Sequence, residues 1–443
     1  MLGRICLISL LFFVPSATAQ IGSPPAYPQA EVRMQLPPPV SSMGLPNVVG
    51  AAELSNYLRG DISFSGGYVD NLYPGSGNRT IDDSTFSFQP GLSMDRTTDR
   101  LHETLRYAPA FDYYSPNGSL NTVNQTGNAD FQYRFTPYAT LFIGDSATKT
   151  STTWSQPLPS GSVSGNLPPT SPGFIAPFAP QISNNAYAQF GWQLARNSMI
   201  GLGGNATFLD YYKPSQAQGL FDSNSRSGSA YYTQRFGSRQ YIGGLYQYSL
   251  ILATPVSTTG PANTNLDAHN FLGFYTIYFQ PSLSVSLGAG SQDYNLTQSS
   301  IKPIRAWAPI AVGSIGWQVP RASFALNYSR LVTEGEGIIG AYTSNAGNLS
   351  TQLQLSPRWI ATISGTYSQF TPVSEFVMNS TPGGHTLSFA GMLERRLGVN
   401  LTLSVRYQYL HQNYLGIASI ASSPESSRET ASITYHLSRL LGR

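Results

Sequence analysis

The sequence predicts an all-β fold, a closed transmembrane antiparallel barrel of about eighteen strands, with sixteen as the alternative count. Three observations predict it. Apolar and polar residues alternate along most of the chain after residue 60, short and long connections alternate between these segments, and the N-terminus carries an export signal. Alternation with period two gives a strand one apolar and one polar face. Many such strands joined by turns are typical of a barrel with an apolar exterior.

The alternation is clearest near the C-terminus and recurs in every predicted strand. In residues 400–409 the apolar positions are Leu401, Leu403, Val405, Tyr407 and Tyr409, and polar side chains occupy the positions between them. The predicted strands are 61–70, 84–95, 101–114, 126–135, 138–150, 185–195, 198–211, 227–236, 239–252, 266–280, 282–295, 304–318, 321–331, 346–356, 358–371, 385–396, 399–412 and 427–438. Their lengths suit tilted strands that cross a bilayer.

The connections between these strands alternate between short turns, most of them one or two residues, and long loops. Transmembrane barrels have short periplasmic turns and long external loops, so both termini are expected in the periplasm and the strand count is expected to be even. Strand 304–318 contains Pro309, which has no backbone N–H to donate. We therefore expect Pro309 to lie at a bulge or at a poorly paired position.

The first nineteen residues have the order of a secretory signal peptide. Arg4 supplies a positive start, residues 5–14 form an apolar run, and Ala17-Thr18-Ala19 provides a small-residue cleavage site. The only cysteine of the chain, Cys6, lies within this segment. The processed chain would therefore have neither disulfides nor thiol catalysis. No later stretch has the 18 or so consecutive apolar residues that a transmembrane helix needs.

Residues 20–60 form a proline-rich segment, predicted to be periplasmic, ahead of the barrel at 61–443. The prolines favour an extended chain without a core of its own, and residues 48–58 could form one short helix. Three interpretations stay open: a linker, a plug that enters the barrel, and a tail that binds a partner.

The composition agrees with a wall that has lipid on one side and water on the other. Charged residues make up 11% of the chain, less than a soluble surface usually carries. The aromatic residues cluster near strand ends, where rings form the girdles of membrane barrels. The net charge of +3 is too small to indicate a nucleic-acid partner.

With these features, residues 61–443 resemble a Gram-negative outer-membrane porin or channel in architecture, although no specific family is identified. The resemblance implies contact with outer-membrane lipid, assembly by the barrel-insertion machinery, and a homotrimer as a possible state. One departure concerns the C-terminus, because such barrels usually end on an aromatic residue. This chain ends in Leu440, Leu441, Gly442 and Arg443, which leaves Tyr435 and Leu437 as an internal substitute.

No motif in the chain points to catalysis, a cofactor or a metal. Residues 335–340 match the pattern G-x-G-x-x-G, but no helix is predicted after them, so dinucleotide binding is not expected. The five histidines lack metal-ligand spacing, and there is no G-x-S-x-G elbow. His102 and Asp112 share a face of one strand, but ten residues of strand separate them by about 33 Å. We predict that the protein is not an enzyme.

The charged residues on the polar strand faces are the candidate lumen-lining residues. Charge facing lipid costs about 2–4 kcal/mol at the bilayer midplane, so these side chains are expected to point inward. The arginines could form structural ion pairs with Asp130, Asp210, Asp293 or Glu394, or they could attract anions and stack on sugars. The candidates are Arg106, Arg134, Arg235, Arg406, Asp130 and Glu394.

The third long loop, residues 151–184, is the candidate constriction. It has no charged residue from 151 to 182, and its aromatic candidates are Trp154, Phe174 and Phe178. If the loop folds inward, the narrowing would be neutral and suited to neutral solutes such as sugars. An ordinary external loop is the alternative.

These features favour a porin-like channel in the outer membrane of a Gram-negative bacterium, through which small hydrophilic solutes diffuse passively. An eighteen-stranded barrel leaves an aqueous channel unless it is plugged. Two alternatives stay open. One is a component that exports an exopolysaccharide and is gated by periplasmic partners or by the proline-rich segment. The other is a surface-exposed barrel whose long loops act in adhesion or hydrolysis.

Overall fold

A computed structural model describes residues 56–71, 82–151, 179–217, 220–256, 263–298, 301–333, 342–373, 383–414 and 425–440. They form eighteen strands and two short 3-10 helices, Gly118–Leu120 and Pro214–Gln216. The first nine strands are β1 Tyr57–Asp70, β2 Asp83–Thr97, β3 Leu101–Ser115, β4 Thr122–Thr136, β5 Ala139–Thr150, β6 Gln181–Ala195, β7 Ser198–Tyr211, β8 Phe221–Phe236 and β9 Gln240–Pro255. The second nine are β10 Thr264–Gln280, β11 Leu283–Gln298, β12 Ile301–Val319, β13 Ala322–Thr333, β14 Tyr342–Ser356, β15 Trp359–Pro372, β16 Gly384–Arg396, β17 Leu401–Tyr414 and β18 Glu425–Leu440. Within these ranges, no helix is long and apolar enough to cross a membrane.

The strands form one closed antiparallel barrel. Each strand pairs with its neighbours in sequence, and β1 also pairs with β18, so that the sheet has no edge strand. The predicted barrel of eighteen strands is therefore confirmed, and the alternative of sixteen is wrong. Every predicted strand is present, with ends that differ by a few residues; the sixth begins at Gln181 rather than at residue 185.

The outer wall is apolar and the inner wall is largely polar. Large apolar side chains such as Phe64, Leu202 and Val405 are exposed on the outside, as expected for a surface that contacts lipid. Exposed rings lie at the short-turn ends of alternate strands, namely Trp192, Phe236, Phe279 and Trp317. These positions match the predicted aromatic girdle.

Pro309 lies at the place where the β12–β13 ladder stops. β12 pairs with β11 through Pro309, but its pairing with β13 begins only at Ala311, which lies opposite Arg330. Continuing that register would place Pro309 opposite Val332, where it could not donate a backbone hydrogen bond. The expectation of a poorly paired proline agrees with the structure.

A second break involves two prolines that lie opposite each other. The β2–β3 ladder runs to the pair Phe88–Phe111 and resumes at Leu92–Tyr107, which places Pro90 opposite Pro109 in the gap. The pairing of β2 with β1 continues past Pro90, and the pairing of β3 with β4 continues past Pro109. The interruption therefore belongs to the one pair in which neither residue has an N–H.

Apolar side chains cover one side of the barrel interior. Inward residues of β7–β13 form a buried cluster of Met199, Tyr231, Tyr241, Leu245, Leu272, Ile310 and Val312. A second cluster lies on the inner side of β10 and β11 and includes Val332, next to the end of β13. Its members are Leu266, Ala268, Tyr294, Leu296 and Val332. The end of β13 therefore bends inward over its neighbours rather than continuing in the wall.

The long-connection ends of distant strands also meet. Tyr211 at the end of β7 and Leu220 before β8 pack in one cluster with Tyr342 at the start of β14 and Phe370 near the end of β15. The rings of Tyr342 and Phe370 contact edge to face, with centroids 6.2 Å apart. These contacts cross over β9–β13 at the long-connection end of the barrel.

Candidate functional site

The charged residues of the inner wall are confined to one side of the barrel. We call the inward faces of β16, β17, β18, β1, β2, β3 and β4 the ionic wall. Its charged positions are Glu394, Arg396, Arg406, Arg428, His436, Arg59, Asp61, Asp83, Asp95, His102, Arg106, Asp112, Asp130 and Arg134. Within the described strands from β5 to β15, the inward charged residue is Arg235, near the end of β8, and Lys302 lies where the β11–β12 register shifts.

Positive and negative charges are concentrated in different parts of the ionic wall. The inward faces of β16, β17 and β18 carry three arginines and one carboxylate. The arginines are Arg396, Arg406 and Arg428, and the carboxylate is Glu394. On β2, β3 and β4, four aspartates outnumber two arginines, with His102 beside Asp95. The ionic wall is therefore cationic on one side of β1 and anionic on the other.

A hydrogen-bonded network joins the two halves at the β1–β18 seam. Asp61 lies directly opposite His436, and their Oδ1 and Nδ1 atoms are 2.5 Å apart. The Arg59 guanidinium donates to Asp61 Oδ1 over 2.8 Å and lies 2.6 Å from His436 Nδ1. The other ring nitrogen of His436 is 3.0 Å from the Thr402 hydroxyl on β17. This network could not be predicted from the sequence, because only barrel closure brings the first and last strands together.

Arg406 extends into the lumen from the middle of β17. Its side chain is exposed, and a guanidinium N–H donates to the Met392 sulfur over 3.1 Å. The charged groups that act on it are Glu394 on β16 and Arg428 on β18. Two arginines and one carboxylate give this patch a net positive charge.

Asp130 is held by a tyrosine that lies across an intervening strand. The hydroxyl of Tyr187 on β6 donates to Asp130 Oδ1 over 2.8 Å. Between them, the ring covers Gly144 on β5, where an added Cβ would approach the ring to 2.4 Å. Only glycine leaves room for this path, because every other residue carries a Cβ.

The same arrangement recurs two strands further along the sheet. Tyr231 on β8 lies over Gly201 on β7, and its hydroxyl is 3.4 Å from the Gln189 amide nitrogen on β6. In both cases a tyrosine crosses a glycine to reach a polar group. In each pair the tyrosine ring lies over a glycine of the inner wall, and its hydroxyl lies on the inner face of the barrel.

The remaining lumen candidates differ in their surroundings. Arg106 is exposed on the inner face of β3, and Arg134 is half-buried near the short-turn end of β4. Arg235 donates from two nitrogens to Asn197 Oδ1, at 3.3 and 3.0 Å, in the short turn between β6 and β7. Arg235 is therefore tied to the barrel rim, whereas Arg106 and Arg406 face the lumen.

The constriction candidates Trp154, Phe174 and Phe178 lie outside the described residues.

Two of the expected ion-pair partners, Asp210 on β7 and Asp293 on β11, are on the opposite face of the wall. Asp293, considered as a lumen partner for the arginines, lies on the outer face of β11 and pairs there with Arg305, at 2.6 Å between Oδ2 and Nη2. The outer wall accepts this pair near the external ends of the strands, where the cost of charge facing lipid falls to about 0–1 kcal/mol.

No protein-family model and no curated protein matches this sequence. Solved structures with a similar arrangement include outer-membrane barrels of Pseudomonas aeruginosa. OpdK is 11% identical with a TM-score of 0.39, over 86% of this chain and 99% of that one. OccK11 (OpdR) is 12% identical with a TM-score of 0.39, over 90% and 100%. The ferric citrate transporter FecA is 12% identical with a TM-score of 0.41, over 84% and 63%.

The chain has the porin-like architecture of an outer-membrane barrel. Its own strand order, apolar outer wall and polar inner wall carry this conclusion. Among the described residues, no group of three or more histidine, cysteine or carboxylate side chains could hold a metal ion.

Proposed function

We propose that this barrel is a passive channel for small hydrophilic solutes, and that the solutes move along the ionic wall. The observation that carries the proposal is the division of the interior. Apolar side chains from β7–β13 pack closely on one side, whereas exposed charges such as Arg106, Asp130 and Arg406 occupy the other. Water and solutes follow the side on which polar groups are already hydrated, because burying those groups without partners costs free energy.

The separation of charge along the ionic wall sets the expected selectivity. The cationic half contains Arg406 and Arg428, and the anionic half contains Asp112 and Asp130. A low-dielectric wall around such charges strengthens their field in the lumen. We expect solutes that carry both signs of charge, or strong dipoles, to orient across the channel with the negative end toward β17.

Bilayer recording of the purified barrel tests this function. We expect stable open steps and a reversal potential, under a KCl gradient, that shifts toward cation preference in the double variant Arg406→Gln/Arg428→Gln. Arg235→Gln is the matched control, because its guanidinium is held by Asn197 at the rim, and it should shift the reversal potential much less. Equal shifts in both variants would contradict a path along the ionic wall. Absence of conductance both in the intact protein and in a variant lacking residues 20–60 would contradict the channel itself.

Gated export is the second candidate function, and it depends on residues 20–60. If that segment plugs the barrel, the intact protein should be silent and a variant lacking residues 20–60 should conduct. Open steps in the intact protein would instead leave the segment as a linker or a binding tail.

The route to the membrane is part of the same proposal. Residues 1–19 are proposed to be cleaved on export, and the barrel-insertion machinery is proposed to assemble the strands in the outer membrane. Intact-mass measurement of protein from the membrane fraction should give a chain that begins at Gln20. Crosslinking in the membrane would show whether the barrel is a homotrimer.

A further inference from the structure

The outer wall has a trough over β10–β13, where small residues replace large ones. Gly273 lies opposite Ala289, which in turn lies opposite Ala311, and Gly313 follows on the same face of β12. These four residues form the floor of a cavity of about 730 Å³, which we call the outer trough. Its volume falls within the roughly 300–1,000 Å³ of small-molecule sites.

The rim of the outer trough is apolar and faces the membrane. Tyr275, Leu287, Leu326 and Tyr328 border it, and 61% of the Leu287 side chain is exposed. A Cβ added to Gly273 would meet nothing closer than 3.9 Å, so this glycine is not needed to relieve a clash within the wall. The floor is open space on the lipid side, of the shape and chemistry that an acyl chain fills.

An unneutralised positive charge lies on the strand next to the floor of the trough. Arg330 lies directly opposite Ala311, on the outward face of β13, and its side chain is exposed. Among the described residues, no carboxylate lies within salt-bridge distance of Arg330, whereas the nearby outward Arg305 is already paired with Asp293. Beside Arg330, the Tyr328 hydroxyl donates to Asn345 Oδ1 over 3.2 Å, which adds a polar edge to this side of the trough.

These features differ from those of an interface between two copies. Two barrels docked trough to trough by a twofold axis would bring Arg330 of each into the same interface, and like charges near lipid repel strongly. A lipid with an acyl chain and a phosphate fits both parts, because the chain fills the floor and the phosphate accepts from the guanidinium.

We propose that the outer trough binds one membrane lipid, with an acyl chain over Gly273, Ala289 and Ala311 and its phosphate on Arg330. Arg330 lies three residues before Thr333, the long-connection end of β13, whereas the floor residues lie near the middle of β10–β12, so the phosphate would face the external leaflet. Binding there needs no solute in the lumen, and the site is independent of the proposed channel function. A single arginine beside the membrane is expected to favour an anionic lipid by about fivefold.

Native mass spectrometry of the barrel in neutral detergent tests the site with three probes. Phosphatidylglycerol has both chain and phosphate, diacylglycerol has only the chains, and inorganic phosphate has only the anion. The intact barrel should retain one phosphatidylglycerol about five times more readily than diacylglycerol. Inorganic phosphate at the same concentration should not displace the lipid.

Two variants and two matched controls separate the parts of the site. Arg330→Gln should reduce phosphatidylglycerol retention to that of diacylglycerol, and Gly273→Leu/Ala311→Leu should reduce retention of both lipids. Arg226→Gln, which changes an outward arginine on β8, and Gly228→Leu, which fills open space on the same strand, should change neither. The heat-dependent gel shift of each variant reports that it is folded.

Several results would overturn the proposal. These are equal retention of phosphatidylglycerol and diacylglycerol by the intact barrel, equal loss in Arg226→Gln and Arg330→Gln, and displacement of the lipid by inorganic phosphate. A change of oligomeric state in Gly273→Leu/Ala311→Leu, with lipid retention unaltered, would assign the trough to a second copy instead. Conductance of the same variants distinguishes this failure from a failure of the channel proposal.

Discussion

The side chain of Gln292 takes the place of a strand partner for Val332. Its amide nitrogen donates to the Val332 carbonyl over 2.9 Å, and its amide oxygen accepts from the Val332 N–H over 2.7 Å. The register of β12 and β13 would place Pro309 opposite Val332, and proline cannot donate. The glutamine therefore satisfies both backbone groups and fixes the inward bend of β13.

Replacing Gln292 should loosen the end of β13. Gln292→Leu leaves the buried N–H and C=O of Val332 without these partners, and we expect a loss of about 1–3 kcal/mol in the free energy of unfolding. Urea unfolding in detergent micelles measures this loss. Gln352→Leu, at an inward position in the middle of β14, is the control. Equal losses in the two variants would contradict a special role for Gln292.

Gly144 should tolerate no side chain while Tyr187 covers it. Gly144→Ala places a Cβ 2.4 Å from the ring, and we expect a loss of about 1–3 kcal/mol in the free energy of unfolding through overpacking. Gly228→Ala is the control, because a Cβ there meets nothing within 4 Å. Adding Tyr187→Ala to Gly144→Ala should cost less than the sum of the two single changes. Additive losses would mean that the ring moves aside freely.

Restoring a backbone N–H donor at the Pro90–Pro109 pair should restore the missing pairing between β2 and β3. Pro90→Ala supplies an N–H that can donate to the Pro109 carbonyl, for a gain of about 0.5–1.5 kcal/mol. Amide hydrogen exchange measures it directly, and the new amide of residue 90 should exchange as slowly as that of Phe88. Fast exchange at residue 90 would show that the two strands are held apart for another reason.

The network at the β1–β18 seam should be sensitive to charge and to salt. Asp61→Asn removes the ionised acceptor that Arg59 and His436 share, and we expect a loss of about 1 kcal/mol in the free energy of unfolding because all three groups are partly exposed. Thermal unfolding followed by the heat-dependent gel shift measures this loss. The difference from the unaltered barrel should shrink in 1 M KCl, because salt screens the pair. A salt-independent difference would point to lost packing instead.

Strand positions could be predicted from sequence because alternation and loop length are local. All eighteen strands, the polar inner face of β17 and the poor pairing of Pro309 follow from residues read within one strand. The partners across strands could not be predicted in this way. Tyr187 meets Gly144 only because of the β5–β6 register, and Gln292 meets Val332 only because β13 leaves the wall.

The orientation of Asp293 shows where the expectation of inward charge fails, although the alternation of faces along β11 holds. A charged side chain was expected to point inward, yet Asp293 faces outward with Arg305. That expectation assumes hydrocarbon outside the strand, and near the external end the surroundings are already polar enough to accept an ion pair. The outer trough was also not predicted, because an isolated glycine or alanine in a strand shows its meaning only beside the residues on neighbouring strands.

The β1–β18 seam has a consequence for how the barrel is made. Asp61 and His436 are 375 residues apart in sequence, so the contact that joins them cannot form until nearly the whole chain has been synthesised. Until then, β1 and the latest strand both present unpaired backbone groups, which promote association with other chains. Pairing of β18 with β1 thus closes the barrel, and we expect a chain that lacks β18 to form an open sheet rather than a smaller barrel.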